Sequence, residues 1–433
     1  MSISDLDLSN EKSIFLWAKR FVCSVSDNLN ELSDKRTKAV MPLLERVLEA
    51  FAFEKVGTHH FSSLTGYAHG DQGREVIDRV FARVLGAEKA AVRVQMVSGT
   101  HAIASSLYGV LRPGDQLLSV TGKPYDTLEE VIGIRGAGCG SLKEFGVSYE
   151  QLNVIESGVI DYQKLELSLK KITKLVFIQR SCGYSWRPSL SLDMIENICK
   201  FVHKINPQII CFVDNCYGEF VESKEPCAVG ADLIAGSLIK NLGGTIVPCG
   251  GYIAGKKELV EKACCRLTSP GIGSKGGASF DLNRLILQGL FLAPQMVAEA
   301  LIGADLICSV FYELGFPVSP CPGEHRSDVI QVVQLKSPEA LKVACRALQA
   351  SSPIGSYLDP VPASMPGYAC DLVMAGGTFI DGSTSELSAD APLKPPYNLF
   401  IQGANSRSHV KIALIKVLVE LVRAGYISLP QNK

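Results

Sequence analysis

Hydrophobic and polar positions follow two different periods along this chain. In residues 1–56, charged residues alternate with apolar ones at helical spacing, and Gly57 ends the pattern. Beyond a second helical stripe at 74–85, short apolar runs alternate with helical stretches. This alternation predicts an α/β fold whose mostly parallel sheet carries helices on both faces. The predicted strands lie at 90–97, 116–120, 175–178, 209–213, 233–234 and 250–254, and the helices between them at 101–110, 128–134 and 190–202.

The pattern changes at about residue 311, and a smaller α+β lobe is predicted from there. Its strands are expected at 329–335, 371–375 and 399–402, and its helices at 338–349 and 409–424. The predicted domains are an N-terminal helical segment at 1–56, a large α/β domain at 57–284, and a linking helix with a small C-terminal domain at 285–433.

The most apolar long stretch, 285–308, begins the linking helix. It is interrupted by Gln288, Pro294, Gln295 and Glu299, which favours a buried and kinked helix over a membrane span. No membrane partner is expected.

The composition is that of a compact protein. Of 433 residues, 47% are hydrophobic and 20% are charged, which argues against a disordered chain. The 43 Lys and Arg residues against 44 Asp and Glu residues leave a net charge of −1, so no nucleic-acid partner is expected. The 14 cysteines are scattered without a Cys-x-x-Cys pair, and the N-terminus has no secretory signal. We therefore expect reduced, buried thiols in a cytoplasmic protein, and no metal site.

Three short segments carry candidate chemistry. Ser98, Gly99 and Thr100 stand where a strand passes into a helix, which suits either a phosphate cradle or an ordinary helix cap. Asp214 ends an apolar strand, where it could hold a metal, a ribose or a protonated ring nitrogen, or cap the next helix. Lys240 is flanked by apolar residues and glycines. If buried, its amine would be free to form a Schiff base; otherwise it is a solvated loop lysine.

Together these segments match the needs of one cofactor. Pyridoxal phosphate requires a lysine for its aldehyde, a carboxylate opposite its ring nitrogen and a cradle for its phosphate. Lys240 follows Asp214 by 26 residues, and Tyr125 stands after the next strand, where its ring could stack on the cofactor. The combination predicts a pyridoxal-phosphate site more strongly than any single segment does.

Longer motifs carry a resemblance to a known family. The chain resembles the fold type I pyridoxal-phosphate enzymes, and among them the methionine gamma-lyase family of the aluminium-resistance-protein type, over about residues 30–425. The motifs are TGYAHGDQGREVIDRVFARVLGAEKAAVR, MVSGTHAIA, GKPYDTLEEVIG, IQRSCGYSWRPSL, VDNCYGEF, GSLIKNLGG, RLTSPGIG, MPGY, MAGGTFIDGSTSELSAD and PPY.

The resemblance implies roles for individual residues. Lys240 would carry the cofactor, Asp214 would pair with its ring nitrogen, and residues 98–100 together with Ser237 would hold its phosphate. Tyr67 would reach the phosphate of a neighbouring subunit. A homo-oligomer, in this family a dimer of dimers, is therefore expected.

The resemblance also implies an activity on a small amino-acid substrate. Lys240, Asp214 and Tyr125 would serve elimination of a thiol from a sulfur-containing amino acid, leaving a 2-oxo acid and ammonia. The same cofactor chemistry leaves open an aminotransferase, a C–C lyase, and a pyridoxal-phosphate-binding protein without catalytic activity.

A substrate carboxylate requires a cation, for which a bidentate arginine is best suited. Arg407, Arg180 and Arg187 are candidates, as is Lys394, which stands where the family has an arginine before Pro-Pro-Tyr. Arg407 is the preferred one.

Overall fold

The computed structural model describes residues 11–153, 155–156 and 159–428. The helices are α1 (Glu11–Asn28), α2 (Asn30–Lys38), α3 (Val40–Phe53), α4 (Gln72–Val84), α5 (Gly99–Val110), α6 (Asp126–Ile132), α7 (Tyr162–Ser168), α8 (Leu192–Ile205), α9 (Lys257–Leu267), α10 (Asn283–Glu313), α11 (Pro338–Gln349) and α12 (Arg407–Arg423). The strands are β1 (Lys89–Arg93), β2 (Gln116–Ser119), β3 (Ser148–Gln151), β4 (Ile155–Glu156), β5 (Val159–Ile160), β6 (Thr173–Gln179), β7 (Ile210–Asp214), β8 (Leu233–Ser237), β9 (Gly251–Gly255), β10 (Val318–Ser319), β11 (Gln331–Gln334), β12 (Leu372–Ala375), β13 (Ser388–Pro392) and β14 (Asn398–Gln402).

The contacts within the chain divide it into two units. The sheet unit comprises Met41–Pro294 with Arg326–Asp328, and the C-terminal unit comprises the chain up to Val40, Gln295–His325 and the chain from Val329. The limits of these units differ from the domain limits expected after residues 56 and 284, because α1 and α2 belong to the C-terminal unit and α3 to the sheet unit. The domain limits therefore stay predictions.

A seven-stranded sheet organises the sheet unit. Its order is β1-β9-β8-β7-β6-β2-β3, and β9 pairs antiparallel with both of its neighbours while the remaining pairs are parallel. Six strands thus run in one direction, and their carboxyl ends meet at one edge. β6, β7 and β8 are buried almost throughout, as expected for parallel strands covered on both faces. The predicted mostly parallel sheet is confirmed, and it has seven strands.

Helices α5 and α9 pack closely against each other over one hydrophobic core. A Cβ added at Gly109 of α5 would lie 2.7 Å from Cα of Ala263 in α9, so only glycine permits this approach. The core contains apolar side chains from α5, α6, α9 and the strands, among them Leu107, Phe177 and Phe212. This packing fixes the start of α5, which the candidate site uses.

The C-terminal unit contains a five-stranded antiparallel sheet in the order β10-β11-β14-β13-β12. Its core joins the sheet to α1, α11, α12 and the second half of α10. The predicted small α+β lobe is confirmed, and α11 begins and ends at the predicted residues. β13 was not predicted, because Ser-Ala-Asp-Ala-Pro has neither the alternation nor the branched side chains typical of a strand.

Helix α10 is the long apolar helix expected from the sequence, and it continues through Pro294 over 31 residues. By length and composition alone it could cross a membrane, and 61% of its most apolar 18-residue window is buried inside the structure.

Candidate active site

The carboxyl edge of the large sheet gathers most of the predicted site residues. Asp214 and Ser237 end β7 and β8, and Lys240 follows Ser237 by three residues. The connections that leave β1 and β2 at the same edge lead to Ser98 and to Tyr125. In open parallel sheets, ligands bind beyond the carboxyl ends of the strands, so the topology places these residues where a ligand is expected.

The predicted phosphate cradle lies at the N-terminus of α5. The Ser98 hydroxyl caps the helix by accepting a hydrogen bond from the backbone N–H of His101 at 3.1 Å. A Cβ added at Gly99 would lie 3.3 Å from Sγ of Cys216 and 3.3 Å from Cβ of Ser237. Gly99 is therefore packed between the connections that follow β7 and β8, and the unpaired N–H groups of the first turn suit an anion.

Two hydroxyl side chains stand beside this turn. Oγ1 of Thr100 lies 2.7 Å from Oγ1 of Thr127 in α6. Ser237 is 1% exposed, and its Oγ accepts a weak hydrogen bond from the N–H of Ile239 at 3.4 Å. Both hydroxyls keep hydrogen-bonding capacity for a phosphate.

Asp214 is a buried carboxylate with cations nearby. Its Oδ1 accepts a hydrogen bond from the backbone N–H of Cys216 at 3.1 Å. Burial raises the pKa of Asp214, and the Cys216 N–H and thiol together with the charges of Lys240 and Arg187 oppose that rise. Such a carboxylate favours a further positive partner, as a protonated ring nitrogen would be.

Lys240 lies in the loop that follows β8. Its Nζ is 3.7 Å from the centre of the Tyr217 ring, within the range of a cation–π interaction. The charge of Lys240 also acts on Asp214 and on Cys216. The structure thus brings Lys240 and Asp214 together, as the sequence predicted.

Tyr125 is held at the start of α6. Its backbone N–H donates a hydrogen bond of 2.7 Å to Oε1 of Gln179, the last residue of β6. Its half-buried ring lies beside Gly183 and is tilted against Tyr184, with 5.4 Å between the ring centres. This position at the carboxyl edge agrees with the predicted ring contact.

Arg180 does not lie where a substrate could reach it. It is fully buried, and Nη1 donates a hydrogen bond of 2.8 Å to Oδ1 of Asn215. Its guanidinium also pairs with Glu222 at 3.5 Å and with Glu225 at 3.7 Å. These contacts argue against a substrate-carboxylate role for Arg180 and give it a place in a buried polar cluster instead.

Arg187 holds the backbone of its own loop. Nη1 donates to the carbonyl of Pro188, and Nη2 donates to the carbonyls of Gln179 and Ser181. Its charge still reaches Asp214, so the residue contributes to the electrostatics of the site.

Arg407 and Lys394 belong to the C-terminal unit. Nη2 of Arg407 donates a hydrogen bond of 2.7 Å to Oε1 of Glu299, and its backbone N–H donates one of 2.8 Å to Oε2 of the same residue. Lys394 is exposed after β13. Their assignment to the substrate carboxylate stays a prediction.

Tyr67 is 82% exposed on a loop that a buried arginine holds in place. Nη1 of Arg74 donates hydrogen bonds to the carbonyls of Ala68 and Gly277, at 2.8 and 2.9 Å, and the carbonyl of Tyr67 accepts one from the N–H of Gly277. Arg74 is therefore a structural residue of this loop, and the Tyr67 ring is presented to the surface.

Two residues of the site were missed by the sequence reasoning. Cys216 contacts Asp214 and Gly99, and Tyr217 lies under the Lys240 ammonium. The sequence offered a reason to consider them, because they stand two and three residues after Asp214 in the motif VDNCYGEF. A buried cysteine was interpreted only as a small hydrophobic residue.

Known proteins resemble this chain along nearly its whole length. A sequence profile described as methionine gamma-lyase matches residues 18–422. The Bacillus subtilis protein YnbB is 47% identical over 379 residues, which cover 87% of this chain and 90% of that protein. The crystal structure of a carbon–sulfur lyase involved in aluminum resistance from Clostridium novyi is 43% identical, with a TM-score of 0.89, and covers 93% of this chain and 96% of that one.

A more distant structure identifies the fold. The pyridoxal-5'-phosphate dependent protein YhfS from Escherichia coli is 16% identical, with a TM-score of 0.60, over 90% of this chain and 97% of that one. Together with the strand order, this similarity confirms the fold type I prediction.

Proposed function

Because the chain belongs to the methionine gamma-lyase family, we propose that it is a pyridoxal-phosphate-dependent carbon–sulfur lyase acting on a sulfur-containing amino acid. One observation carries this proposal. Lys240, Asp214 and the N-terminus of α5 meet at the carboxyl edge of one sheet, which is the set of groups that this cofactor requires.

The residues present fit the cofactor in three respects. Lys240 supplies the amine for its aldehyde. Asp214, buried and close to two cations, supplies the carboxylate for its ring nitrogen. Residues 98–100 and Ser237 supply a helix N-terminus and hydroxyls for its phosphate, and Gly99 leaves room where a larger side chain would meet Cys216.

The chain's own residues then have distinct tasks. The bound cofactor supplies an electron sink for the α carbon of the amino acid. Asp214 holds a proton at the ring nitrogen, and Tyr125 packs on the ring and excludes water. Lys240 accepts the α proton at Nζ as a general base. The substrate's thiol would depart with a proton, and hydrolysis of the remaining unsaturated amine by one water would give the 2-oxo acid and ammonia.

A homo-oligomer, as a dimer of dimers, is part of the proposal. A tyrosine that is 82% exposed on a loop anchored by Arg74 is suited to contact another subunit, and we assign that role to Tyr67. Light scattering of the purified protein tests this: an active monomer would contradict it.

The test begins with the covalent link. Borohydride treatment of the protein loaded with pyridoxal phosphate should label Lys240, as found by peptide mass analysis. Lys240→Ala should remove the label and lower the rate of thiol release about 1,000-fold or more, because it lacks both the attachment and the base. Lys262→Ala, on the exposed side of α9, is the matched control and should keep both.

Product analysis separates the alternatives. A panel of sulfur amino acids should give thiol, 2-oxo acid and ammonia in equal amounts. A required amino-group acceptor would indicate an aminotransferase, and release of a carbonyl fragment from the α carbon would indicate a C–C lyase. A loaded protein whose absorption spectrum no amino acid changes would contradict an enzymatic role.

A further inference from the structure

A second cluster of chemically reactive side chains lies in the sheet unit, away from the candidate active site. Ligand atoms of His203, Cys211 and Asp232 all lie within 4.8 Å of one another. His203 is in the last turn of α8, Cys211 is the second residue of β7, and Asp232 immediately precedes β8. The cluster therefore joins one helix to the starts of two central strands.

Asp232 is the centre of this cluster. Its Oδ2 lies 2.9 Å from Nε2 of His203 and accepts a hydrogen bond of 2.7 Å from the backbone N–H of Cys211. Its Oδ1 pairs with Nζ of Lys256 at 2.7 Å. The carboxylate is thus fixed in orientation, with one oxygen turned toward the imidazole and the thiol.

A second thiol lies close to this cluster. Cys199 precedes His203 by four residues on α8, so both side chains lie on the same face of the helix. Cys199 and Cys211 are both buried, and interaction with the Cys199 thiol contributes to the raised pKa of Cys211. The Cys199 sulfur lies outside the three-residue cluster, and a rotation of its side chain would bring it in as a fourth donor.

We propose that Cys199, His203, Cys211 and Asp232 form a tetrahedral binding site for zinc. Two thiolates, an imidazole and a carboxylate are all ligands that zinc accepts, and four protein ligands without an open position are typical of structural zinc. The sulfur donors disfavour magnesium and calcium, which prefer oxygen.

The distances require only small adjustments. Zinc bond lengths of about 2.0–2.3 Å place tetrahedral donor atoms roughly 3.3–3.8 Å apart. The ligand atoms of His203, Cys211 and Asp232, all within 4.8 Å of one another, are within a rotamer adjustment of that geometry, and Cys199 requires a rotation of its side chain toward them. Binding releases the two thiol protons to solvent. His203, whose side chain is 26% exposed, offers an entry path, and Lys256 on the second oxygen of Asp232 acts as the outer partner common at metal sites.

An ion pair between His203 and Asp232 explains part of this arrangement without a metal. It does not require a thiol, whereas the Cys211 thiol is part of the cluster and a second thiol, Cys199, lies one helical turn from the imidazole. No metal site was predicted from the sequence, because the chain has no Cys-x-x-Cys pair. Here the donors come from α8, from β7 and from the residue before β8, which only the fold brings together.

The position of the site defines its role. β7 carries Cys211 near its start and Asp214 at its end, and β8 begins after Asp232 and ends at Ser237. At about 3.3 Å per residue, the three residues from Cys211 to Asp214 span roughly 10 Å. A metal here would clamp α8 to the sheet and would not enter the reaction, so this site is independent of the proposed function.

Zinc binding can be measured on the full chain. Protein purified under reducing conditions, stripped with a chelator and dialysed should take up one equivalent of Zn²⁺ in calorimetry and show a raised melting temperature. Co²⁺ should bind in its place and give the absorption of thiolate coordination. Mg²⁺ should not bind, even at high concentration.

Two variants test the ligands. Cys199→Ser with Cys211→Ser should weaken zinc binding at least 100-fold, whereas Cys264→Ser, a buried thiol of the same unit, should not change it. His203→Asn keeps a donor for Asp232 but lacks the imidazole, so it should fold as the parent protein does and lose zinc. Stripped parent protein that takes up no zinc, or zinc uptake equal in all variants, would overturn the proposal.

Discussion

Two buried acids lie at the end of β7 and in the connection that follows it, five residues apart, and they belong to different regions of the molecule. Asp214 faces the candidate active site. Burial raises its pKa, and the cations that oppose the rise, Lys240 and Arg187, come from loops at the sheet edge. Its environment changes when a ligand binds there.

Glu219 belongs to a buried polar cluster. Burial raises the pKa of Glu219 to about 8, and the hydroxyl of Tyr252 donates a hydrogen bond of 2.7 Å to its Oε1. Asn215 connects this pair to Arg180 and Glu225 through further hydrogen bonds. All five residues are buried, and the cluster's outer ion-pair partners are Arg46 at Glu225 and Glu222 at Arg180.

These two environments assign different roles to residues that are close in sequence. Asp214 is expected to serve catalysis, and Glu219 is expected to serve stability. The last residue of β7, Asp214, faces the site, and the connection after it supplies Glu219 to the interior. Changes at the sheet edge should therefore alter cofactor chemistry at nearly constant stability, and changes in the cluster should alter stability at nearly constant chemistry.

The largest expected effect is on stability and comes from Arg180→Met. The change leaves Glu222 and Glu225 without their buried cation, and breaking a buried pair in this way costs about 3–5 kcal/mol of unfolding free energy. Urea denaturation measures it. Arg79→Met, which breaks a more exposed pair with Glu54, is the control and should cost less than about 1 kcal/mol. If the Arg180→Met protein were fully stable but had low activity, Arg180 would belong to the catalytic region and not to the stabilising cluster.

The next effect is on chemistry and comes from Asp214→Asn. The amide keeps the shape of the side chain but cannot hold a proton at the cofactor ring nitrogen, and we expect kcat to fall about 100-fold or more. The free energy of unfolding should stay the same or rise, because a buried carboxylate with a raised pKa is replaced by a neutral group. Steady-state kinetics and urea denaturation of one preparation test both parts. Unchanged kcat would remove Asp214 from the mechanism.

A smaller effect is expected at Cys216. Its thiol contacts both the Asp214 carboxylate and the space beside Gly99, so Cys216→Ala should weaken pyridoxal phosphate binding about tenfold, or about 1.4 kcal/mol. Cys216→Ser, which retains a donor for Asp214, should restore most of the affinity. Fluorescence titration of the cofactor into the apoprotein measures all three proteins. Equal loss in Ala and Ser variants would show that the hydrogen bond is not the cause.

The sequence predicted positions at strand ends better than it predicted side-chain directions. Asp214 was predicted at the carboxyl edge because an apolar strand ending in a polar group places that group at a known edge of a parallel sheet, whereas Lys240 was singled out by its apolar and glycine neighbours. Arg180 also follows a strand directly, yet its side chain turns into the interior, since Asn215, Glu222 and Glu225 provide partners that only the tertiary structure brings near.

The same limit explains the other omissions. The packing of Cys216 against Gly99 depends on two separate connections meeting. The strand Ser388–Pro392 forms because both of its neighbours pair with it, although its residues have low intrinsic preference for a strand. Periodicity describes single elements, whereas these features arise between elements.

The last prediction is a pH dependence and concerns the proton on Glu219. Its pKa of about 8 in the folded protein exceeds the ordinary value of 4.5, so the folded state holds a proton that the unfolded chain releases, and the free energy of unfolding falls as the pH rises from about 4.5 to about 8. Glu219→Gln does not titrate and still accepts the Tyr252 hydrogen bond. Relative to the parent protein, its free energy of unfolding should therefore increase steadily as the pH rises from about 5 to about 8 and should level off above that. Urea denaturation across that range tests this, and parallel curves for the two proteins would mean that Glu219 is ionised in the folded state and that the cluster has a cation to spare for it.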